Sequence, residues 1–283
     1  MEQKLLKKYR PEAVIYLVLT AAALIVAYFR DLQMDIALNN TSNLVANWFA
    51  ATGEMPASVL LTVAGAFLTK CFQKKWQKVV FGILTVAAGG YLGDFISRRL
   101  FEENDFSFGF GIIFGVGIAL VFLFTLKFID IPKKYRRPLI AMAFIGIAVM
   151  ALQAGIITLM KTFWGRVRFR DLDADYSRFT NWLTVNGNTG DHSFPSGHTA
   201  GAGVSYLIMF LPYISKKLQR NRPLCFGAAF CYTTAVAITR LVMGAHYLSD
   251  VAVGGLVSFI LTLIGMKIYE ALAAKDFTLR KRK

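Results

Sequence analysis

Eight apolar runs, separated by short polar segments, constrain the fold of this chain more than any other feature. Most of them approach or exceed the roughly 20 residues that an α-helix needs to cross a bilayer. With 55% hydrophobic residues and a mean hydropathy of +0.49, an ordinary soluble domain is excluded. We therefore predict an all-α, polytopic membrane helical bundle of about eight transmembrane spans, forming a single membrane domain over residues 1–283. The runs cover residues 12–29, 55–70, 79–97, 108–126, 138–160, 195–215, 223–241 and 247–268.

Basic residues are distributed unevenly among the segments that join these runs. With the amino terminus placed in the cytoplasm, cytoplasmic segments hold 23 of the 32 Lys and Arg residues. This positive-inside bias predicts that both termini are cytoplasmic and that residues 161–198 lie at the outer face. Topology thus accounts for the net charge of +15, and no nucleic-acid partner is expected. Acidic residues show the converse bias, which places in outer loops Asp31, Asp35, Glu54, Glu102, Glu103 and Asp105.

Three features of the amino-terminal half favour structural roles. The run Ala13–Phe29 is long and no small-x-small cleavage site follows it, so an uncleaved first span is favoured over a secretory signal. The loop from Arg30 to Glu54 contains an aromatic pair and is predicted to form a short amphipathic helix at the interface. The glycines of residues 109–115 lie inside a span with no preceding strand, which favours close helix packing over a nucleotide loop.

Charged groups between the last two apolar runs form the first candidate site. Arg240, His246 and Asp250 are ionisable groups at the edge of hydrocarbon, where such residues usually mark function. If a helix begins near His246, Asp250 lies four residues on and on the same face. A carboxylate there can accept the proton of one ring nitrogen and leave the other nitrogen free as a nucleophile or base. A structurally satisfied His/Asp pair is the alternative reading.

A basic segment precedes the predicted outer-face loop. Lys161, Arg166, Arg168 and Arg170 lie within ten residues on the side that otherwise avoids positive charge. An anionic partner is the natural explanation, and snorkelling toward lipid headgroups is the alternative. The acidic residues that follow, Asp171, Asp173 and Asp175, lack calcium-loop spacing and are interpreted as a solvated loop. The aromatic residues after them are predicted to form a lid over the site: Tyr176, Phe179 and Trp182.

The segment Ser193-Phe194-Pro195-Ser196-Gly197-His198 leads directly into the sixth apolar run. Proline suits the first turn of a helix, so Pro195 is predicted to open this span. The free amides of Ser196 and Gly197 would then lie at the positive end of the helix and form an anion site. His198 stands beside them as a proton donor.

Together these segments resemble the signature of the type 2 phosphatidic acid phosphatase superfamily, the membrane branch of the acid phosphatases and vanadium haloperoxidases. The signature has three parts, Lys-x6-Arg-Pro, Pro-Ser-Gly-His and Ser-Arg-x5-His-x3-Asp. In this chain the parts are Lys161-x6-Arg168-Phe169, Pro195-Ser196-Gly197-His198 and Thr239-Arg240-x5-His246-x3-Asp250. The resemblance covers about residues 140 to 268. Phe169 replaces a proline and Thr239 replaces a serine, and neither change removes a ligand.

The resemblance implies a role for each matched residue. His246 would attack phosphorus and form a phosphohistidine, while Asp250 holds its imidazole in the nucleophilic tautomer. His198 would protonate the leaving group and then activate water. The remaining matched residues would bind the phosphoryl oxygens: Lys161, Arg168, Arg240, the Ser196 hydroxyl and the Gly197 amide. No metal and no other cofactor is expected. Arg166 lies outside the family's ligand positions and is a secondary candidate.

The resemblance also implies a function and a division of the chain. We expect metal-independent hydrolysis of a lipid phosphate or pyrophosphate, such as undecaprenyl pyrophosphate, phosphatidylglycerophosphate or phosphatidic acid. The protein would be integral to a bacterial plasma membrane, with its active site on the outer face and its oligomeric state left open. Because relatives commonly have six spans, eight imply either an additional amino-terminal pair or a miscounted short segment. Residues 12–137 would hold the amino-terminal spans, and residues 138–268 the catalytic core with its outer-face loop, 161–194.

Two alternatives remain open at this stage. In a phosphotransferase, a sugar or lipid hydroxyl would replace water in accepting phosphate from His246. In a non-catalytic protein for lipid binding or transport, the site would have lost its chemistry. The retained His, Asp and basic residues argue against the second alternative.

Overall fold

A computed structural model describes residues 5–100 and 105–281 of the chain, with side chains for residues 5–97 and 108–274. Helix accounts for 80% of the structure, and the described part contains no strand. The all-α, polytopic bundle predicted from the apolar runs is therefore confirmed. Of the acidic residues assigned to outer loops, Glu102 and Glu103 lie outside the described residues, as does the side chain of Asp105.

Eleven α-helices form the described part of the chain. They are α1 (Leu5–Lys8), α2 (Arg10–Leu38), α3 (Leu44–Thr52), α4 (Met55–Cys71), α5 (Lys75–Leu100), α6 (Asp105–Lys127), α7 (Lys133–Trp164), α8 (Gly197–Gly203), α9 (Lys216–Arg220), α10 (Arg222–Val242) and α11 (Leu248–Lys281). Two 3₁₀ helices accompany them, Phe169–Asp171 and Val204–Tyr213.

Seven stretches are long and apolar enough to cross a membrane, judged within the described residues. They contain α2, α3 with α4, α5, α6, α7, α10 and α11. The outward faces of these helices carry exposed apolar side chains, among them Val18 at 61% and Ile113 at 74% exposure. Such surfaces suit hydrocarbon and would be unfavourable in water. The protein is therefore an integral membrane protein.

The predicted sixth span, 195–215, is built from two shorter helices in succession. α8 is followed without a break by the 3₁₀ helix Val204–Tyr213. A 3₁₀ helix rises about 2.0 Å per residue against 1.5 Å in an α-helix, so the two together reach about 30 Å. That length matches the hydrocarbon thickness of a bilayer. The segment accordingly completes a bundle of about eight spans.

Six of the spans surround a common core, and α5 with α6 form the additional pair. The core is aromatic at its centre, where Tyr16 of α2 lies 4.2 Å from Phe259 of α11 and 5.7 Å from Tyr206, centroid to centroid. α2 thus packs directly on the carboxy-terminal helices. By contrast, α5 and α6 pack mainly on each other and on α4. The first span therefore belongs to the central group of helices.

Glycines permit the close approach of α5 and α6, as predicted for the 109–115 run. A Cβ placed on Gly115 would lie 2.1 Å from the Gly89 carbonyl oxygen, and one on Gly93 would lie 2.1 Å from the Gly111 carbonyl oxygen. Any side chain at these positions would overlap the facing backbone. Among the described residues, no atom lies within 4 Å of a Cβ placed on Gly109 or Gly117. The close-packing prediction is confirmed for Gly111 and Gly115.

The helix of the first span, α2, is longer than its apolar run. Its length changes where two acidic residues lie. α2 continues to Leu38, so Asp31 and Asp35 lie in its last two turns and are buried, and their assignment to an outer loop was wrong. The apolar run ends just before Arg30, but the helix continues because Asp31 forms hydrogen bonds inside the protein. The predicted short helix of the 30–54 segment is present as α3, and Glu54 precedes α4.

Candidate active site

Six elements meet at one end of the bundle and bring the predicted residues together. They are the end of α2, the α3–α4 junction, the end of α7 with the loop after it, the start of α8, the α10–α11 connection and the start of α11. Two backbone hydrogen bonds hold the end of α10 and the connection after it to neighbouring segments. Asn40 N, just after α2, donates to Val242 O at 2.7 Å, and Arg170 N, in the loop after α7, donates to Gly244 O at 3.0 Å. The site therefore combines segments from both halves of the chain.

His246 is buried in the connection between α10 and α11, where its backbone amide bonds to the Arg240 carbonyl at 3.3 Å. Its ring Nδ1 lies 2.7 Å from the backbone carbonyl oxygen of Ser193. A carbonyl can only accept a hydrogen bond, so Nδ1 carries the proton and donates it. Nε2 is then unprotonated in the neutral ring and holds a lone pair, as a nucleophilic imidazole requires.

The protonation of His246 follows from its surroundings. Burial lowers the pKa of His246 from its ordinary value to about 4, because an imidazolium is poorly solvated there. The Asp250 carboxylate opposes this shift, whereas the charges of Lys161 and Arg168 add to it. The ring is therefore neutral at physiological pH, and the two cations lie near enough to act on it.

Asp250, at the start of α11, is fully buried and supported on both carboxylate oxygens. Its Oδ1 accepts from Arg166 Nη1 at 2.7 Å. Its Oδ2 accepts from the Ser193 hydroxyl and from the Tyr247 amide, the latter at 3.0 Å. The same oxygen lies 3.6 Å from His246 Nδ1, which is beyond hydrogen-bonding distance. Asp250 thus acts on the imidazole by charge, while the Ser193 carbonyl holds the tautomer that had been expected of Asp250.

Ser193 joins three parts of the site, although only its neighbours in the Pro-Ser-Gly-His segment were predicted to take part. Its amide donates to the Arg166 carbonyl at 2.9 Å, its hydroxyl donates to Asp250, and its carbonyl accepts from His246. The side chain is fully buried. The only signal in the sequence was its position two residues before the proline of the motif.

Arg166 is the largest fully buried side chain of the site. Its guanidinium donates from Nη1 to Asp250 and to the Ser249 hydroxyl at 2.8 Å, and from Nε to the Thr180 carbonyl at 2.9 Å. Its Nη2 donates to Asp31 Oδ2 at 3.0 Å. The guanidinium carbon also lies 4.0 Å from the ring centroid of Tyr247. The residue that was a secondary candidate is thus bonded into the buried interior and faces no solvent.

His198, in the first turn of α8, pairs with a residue that the sequence did not indicate. Its Nδ1 lies 3.3 Å from Oε1 of Glu54, which precedes α4. Both side chains are partly exposed. His198 therefore lies at the open side of the site, in contrast to the buried His246.

Two of the predicted basic residues, Lys161 and Arg168, act electrostatically on His246, and the third, Arg240, lies at the end of α10. Lys161 Nζ donates to the His192 carbonyl at 2.6 Å and interacts electrostatically with Arg168, Asp250 and Glu54. The Nε of Arg168 is buried and has no hydrogen-bond partner among the described residues. A buried guanidinium N–H without an acceptor is suited to receive an anion. Arg240 Nη2 contacts the Met243 sulfur at 3.0 Å.

α8 begins at Gly197, two residues after the predicted start at Pro195. Ser196 is the N-cap: its hydroxyl accepts from the Thr199 amide at 3.3 Å and from the Thr199 hydroxyl at 3.1 Å. A serine N-cap satisfies an otherwise unpaired amide, which fixes the helix start here. The Ser196 amide bonds to the Asp250 carbonyl at 2.9 Å and is not free for an anion, whereas the first helical amide, that of Gly197, has no acceptor within α8.

The two positions that depart from the signature have structural partners. Phe169 is buried and stacks on Tyr176 with ring centroids 5.9 Å apart. The Thr239 hydroxyl donates to the Val236 carbonyl of its own helix at 2.7 Å. These contacts orient neither side chain toward the basic residues Lys161, Arg168 and Arg240.

The loop 161–194 is held by its aromatic and acidic residues. Phe179 packs 5.4 Å from the Tyr247 ring, and Trp182 stacks on Phe194 at 6.4 Å. Asp173 pairs with Arg178 at 3.0 Å, and Asp175 accepts from the Ser177 amide. Within the described residues, no three His, Cys, Asp or Glu side chains are grouped so that they could hold a metal ion.

Comparison with known proteins gives one match. The sequence model of the PAP2 superfamily matches residues 142–273, a segment that contains all three predicted motifs. The resemblance inferred from those motifs is therefore confirmed. No curated protein and no solved structure matches the chain.

Proposed function

We propose that this protein is a metal-independent lipid phosphatase, because the PAP2 superfamily model that matches residues 142–273 points to a phosphatase-type hydrolase. It would hydrolyse a lipid phosphate or pyrophosphate through a phosphohistidine on His246. One observation carries the proposal: the 2.7 Å bond from His246 Nδ1 to the Ser193 carbonyl leaves Nε2 unprotonated, in a ring on which the charges of Lys161 and Arg168 act. A nucleophile and the cations for its target occupy one cluster.

In the first step, His246 Nε2 attacks the phosphorus and the bond to the leaving oxygen breaks. His198 would donate a proton to the departing alkoxide or phosphate, with the Glu54 carboxylate orienting its ring. As the N–P bond forms, the imidazole gains positive charge. The buried Asp250 carboxylate, 3.6 Å from Nδ1, would stabilise that charge.

In the second step, water cleaves the phosphohistidine. His198, now neutral, would take a proton from the attacking water, and inorganic phosphate would leave with the electrons of the N–P bond returned to His246. Lys161, Arg168 and Arg240 would face the equatorial phosphoryl oxygens in both steps, together with the Gly197 amide. Fixed cations in a water-poor site can contribute several kcal/mol to transition-state stabilisation. The Ser196 hydroxyl, committed to capping α8, would serve by fixing this amide.

A lipid substrate suits the position of the site at the end of an apolar bundle. The headgroup phosphate would reach the cations at the membrane boundary while the acyl or prenyl chains remain in hydrocarbon. The positive-inside distribution supports an outer-face site with both termini in the cytoplasm, in a bacterial plasma membrane. Undecaprenyl pyrophosphate, phosphatidylglycerophosphate and phosphatidic acid are the candidate substrates.

The proposal is tested with the full chain purified in detergent and assayed against these lipid phosphates in the presence of a chelator. We expect phosphate release that His246→Ala abolishes, that His198→Ala lowers and that the chelator leaves unchanged. A strict requirement for magnesium would contradict the proposal. Product analysis with a sugar or lipid hydroxyl present distinguishes hydrolysis from transfer.

A further inference from the structure

We infer that Asp31, in the first span, is a positioning residue for the reaction on His246. It acts through Arg166, which it shares with Asp250, and it touches no substrate. The inference rests on the proposed function. It extends the site beyond the family-matched segment, because Asp31 lies in α2 and the match begins at residue 142.

A continuous chain of buried contacts joins Asp31 to the imidazole. Arg166 Nη2 donates to Asp31 Oδ2 at 3.0 Å, and Arg166 Nη1 donates to Asp250 Oδ1 at 2.7 Å. The side chains of these three residues are at most 1% exposed. The guanidinium therefore bridges two carboxylates with its two terminal nitrogens, and solvent does not screen the interaction.

Ser249 makes the bridge rigid, because it bonds to both Asp31 and Arg166. Its amide donates to Asp31 Oδ1 at 3.1 Å, its hydroxyl donates to Asp31 Oδ2, and the same hydroxyl accepts from Arg166 Nη1 at 2.8 Å. Ser249 directly precedes Asp250 in α11. Asp31 thus anchors both the guanidinium and the backbone that carries the acidic residue.

The charges of Asp31, Arg166 and Asp250 explain why Asp31 would affect the reaction at His246. With Asp31 present, the charge of Arg166 is divided between two carboxylates, and Asp250 keeps negative charge to oppose the cation that develops on His246. Without Asp31, Arg166 would be neutralised by Asp250 alone. The imidazole would then lose part of its electrostatic support in the transition state, while the phosphate-binding cations stay in place.

The test compares Asp31→Asn, which keeps the side-chain volume and removes the charge, with Asp35→Asn. Asp35 lies one turn further along α2, is equally buried, and its carboxylate oxygens have no hydrogen-bond partner among the described residues. For Asp31→Asn we expect kcat to fall about 10- to 100-fold, as for other residues that orient a catalytic group, with KM changed less than about threefold. For Asp35→Asn we expect kcat within about threefold of wild type. An equal loss in both variants would overturn the inference, since it would then reflect any substitution of a buried acidic residue of α2.

The pH profile supplies a readout that a folding defect would not produce. The groups that act on His246 are Asp250 of α11, Lys161 of α7 and Arg168 of the following loop. Removing Asp31 weakens only the support from Asp250, so the acid limb of kcat/KM should move to lower pH in Asp31→Asn. An unmoved limb, or one moved to higher pH, contradicts the inference.

A double substitution tests whether Asp31 acts through Arg166. Arg166→Lys keeps a charge but cannot bridge two carboxylates with a planar fork. The double variant Asp31→Asn/Arg166→Lys should therefore be no slower than Arg166→Lys alone, whereas independent effects would multiply. Multiplicative losses would overturn the inference.

Three further outcomes also bear on the role of Asp31. If Asp31→Asn fails to give a monodisperse protein in detergent, Ser249→Ala removes only the bridging hydroxyl: a lower kcat at constant KM supports the inference, and an unchanged kcat overturns it. A wild-type protein inactive on every lipid phosphate refutes the proposed function and this inference together. An active wild type with a fully active Asp31→Asn variant refutes the inference alone.

Discussion

His246 donates its Nδ1 proton to the backbone carbonyl of Ser193 at 2.7 Å, while the Asp250 carboxylate lies 3.6 Å from the same nitrogen. The tautomer is therefore set by a backbone group, which no side-chain substitution removes directly. The acidic residue supplies negative charge from slightly farther away. The Ser193 carbonyl thus orients the ring and the Asp250 carboxylate supports it electrostatically. The two roles can be tested by different substitutions.

Ser193→Ala tests the electrostatic half. The substitution removes the hydroxyl that donates to Asp250 and keeps the carbonyl that accepts from His246. Asp250 Oδ2 would keep only the Tyr247 amide as a donor among the described residues, and a hydrogen bond to a charged group contributes about 1.5–3 kcal/mol, so we expect kcat to fall by about tenfold or more with KM nearly unchanged. Steady-state kinetics measure both. Ser205→Ala is the matched control, because that hydroxyl makes only contacts of 3.5 Å. Equal losses in the two variants would contradict the role given to Ser193.

The acid limb of the pH profile should lie well below that of an ordinary histidine. Burial lowers the pKa of His246 to about 4, and the neutral ring is the nucleophile. Activity is therefore retained as the pH falls through 6.5, the ordinary histidine pKa, and is lost only as the imidazolium forms near pH 4. Measuring kcat/KM from about pH 3.5 to 8, with thermal unfolding followed in parallel, checks this. A limb near pH 6.5 in folded protein would show that His246 is solvated or is not the nucleophile.

Glu54→Gln should affect poor leaving groups more than good ones. Glu54 lies 3.3 Å from His198 Nδ1, and a general acid matters most when the departing oxygen is strongly basic. We expect a loss of about tenfold or more on lipid phosphates and a much smaller loss on an aryl phosphate such as p-nitrophenyl phosphate. His198→Ala should show the same contrast, more strongly. Equal losses on the two substrate types would instead assign Glu54 a role in binding or folding.

Thr239→Val should remain active. The Thr239 hydroxyl donates to the Val236 carbonyl of its own helix, and valine preserves the shape of the side chain. We expect kcat/KM within about threefold of wild type. Arg240→Lys is the comparison on the adjacent residue and should be severely impaired, because a lysine lacks the guanidinium fork. An inactive Thr239→Val protein would identify the hydroxyl as a phosphate ligand after all.

Gly115→Ala should loosen the α5–α6 pair without changing the chemistry. The added methyl would lie 2.1 Å from the Gly89 carbonyl oxygen, and such overpacking typically costs about 1–3 kcal/mol. The melting temperature in detergent should fall by several degrees, and kcat of the folded protein should persist. Gly117→Ala is the control, since no atom of the described part of the chain lies within 4 Å of its added methyl. A melting temperature unchanged in Gly115→Ala would show that the two helices are less closely packed than described here.

The sequence predicted the bundle and the motif residues because both are encoded locally. Apolar length predicts a span wherever it occurs, and the spacing within each motif fixes which side chains share a turn. The support of the site could not be predicted in the same way. Asp31 follows the end of an apolar run and was assigned to a loop, and Arg166 was read as one of several basic residues. Their pairing joins residues 135 positions apart, and no periodicity or motif records such a contact.

Glu54 and Ser193 were missed for a related reason. Their contacts, of Glu54 with His198 and of Ser193 with His246 and Asp250, join segments far apart in the sequence and depend on how the helices pack. The start of α8 was predicted two residues too early, because Ser196 can either cap a helix or bind an anion. In the structure it caps α8, and the cap defines the helix boundary. Local propensity alone does not choose between these uses.

The bridge between Asp31 and Arg166 also has a consequence for biogenesis. The ribosome delivers α2 to the membrane long before Arg166 is synthesised, and Ser249 and Asp250 follow later still. Asp31, near the end of α2, must therefore remain hydrated or protonated until the segments that carry its partners have been made. We expect α2 to complete its docking late in assembly, and a truncated chain that stops before α11 would leave Asp31 without its contacts to Ser249.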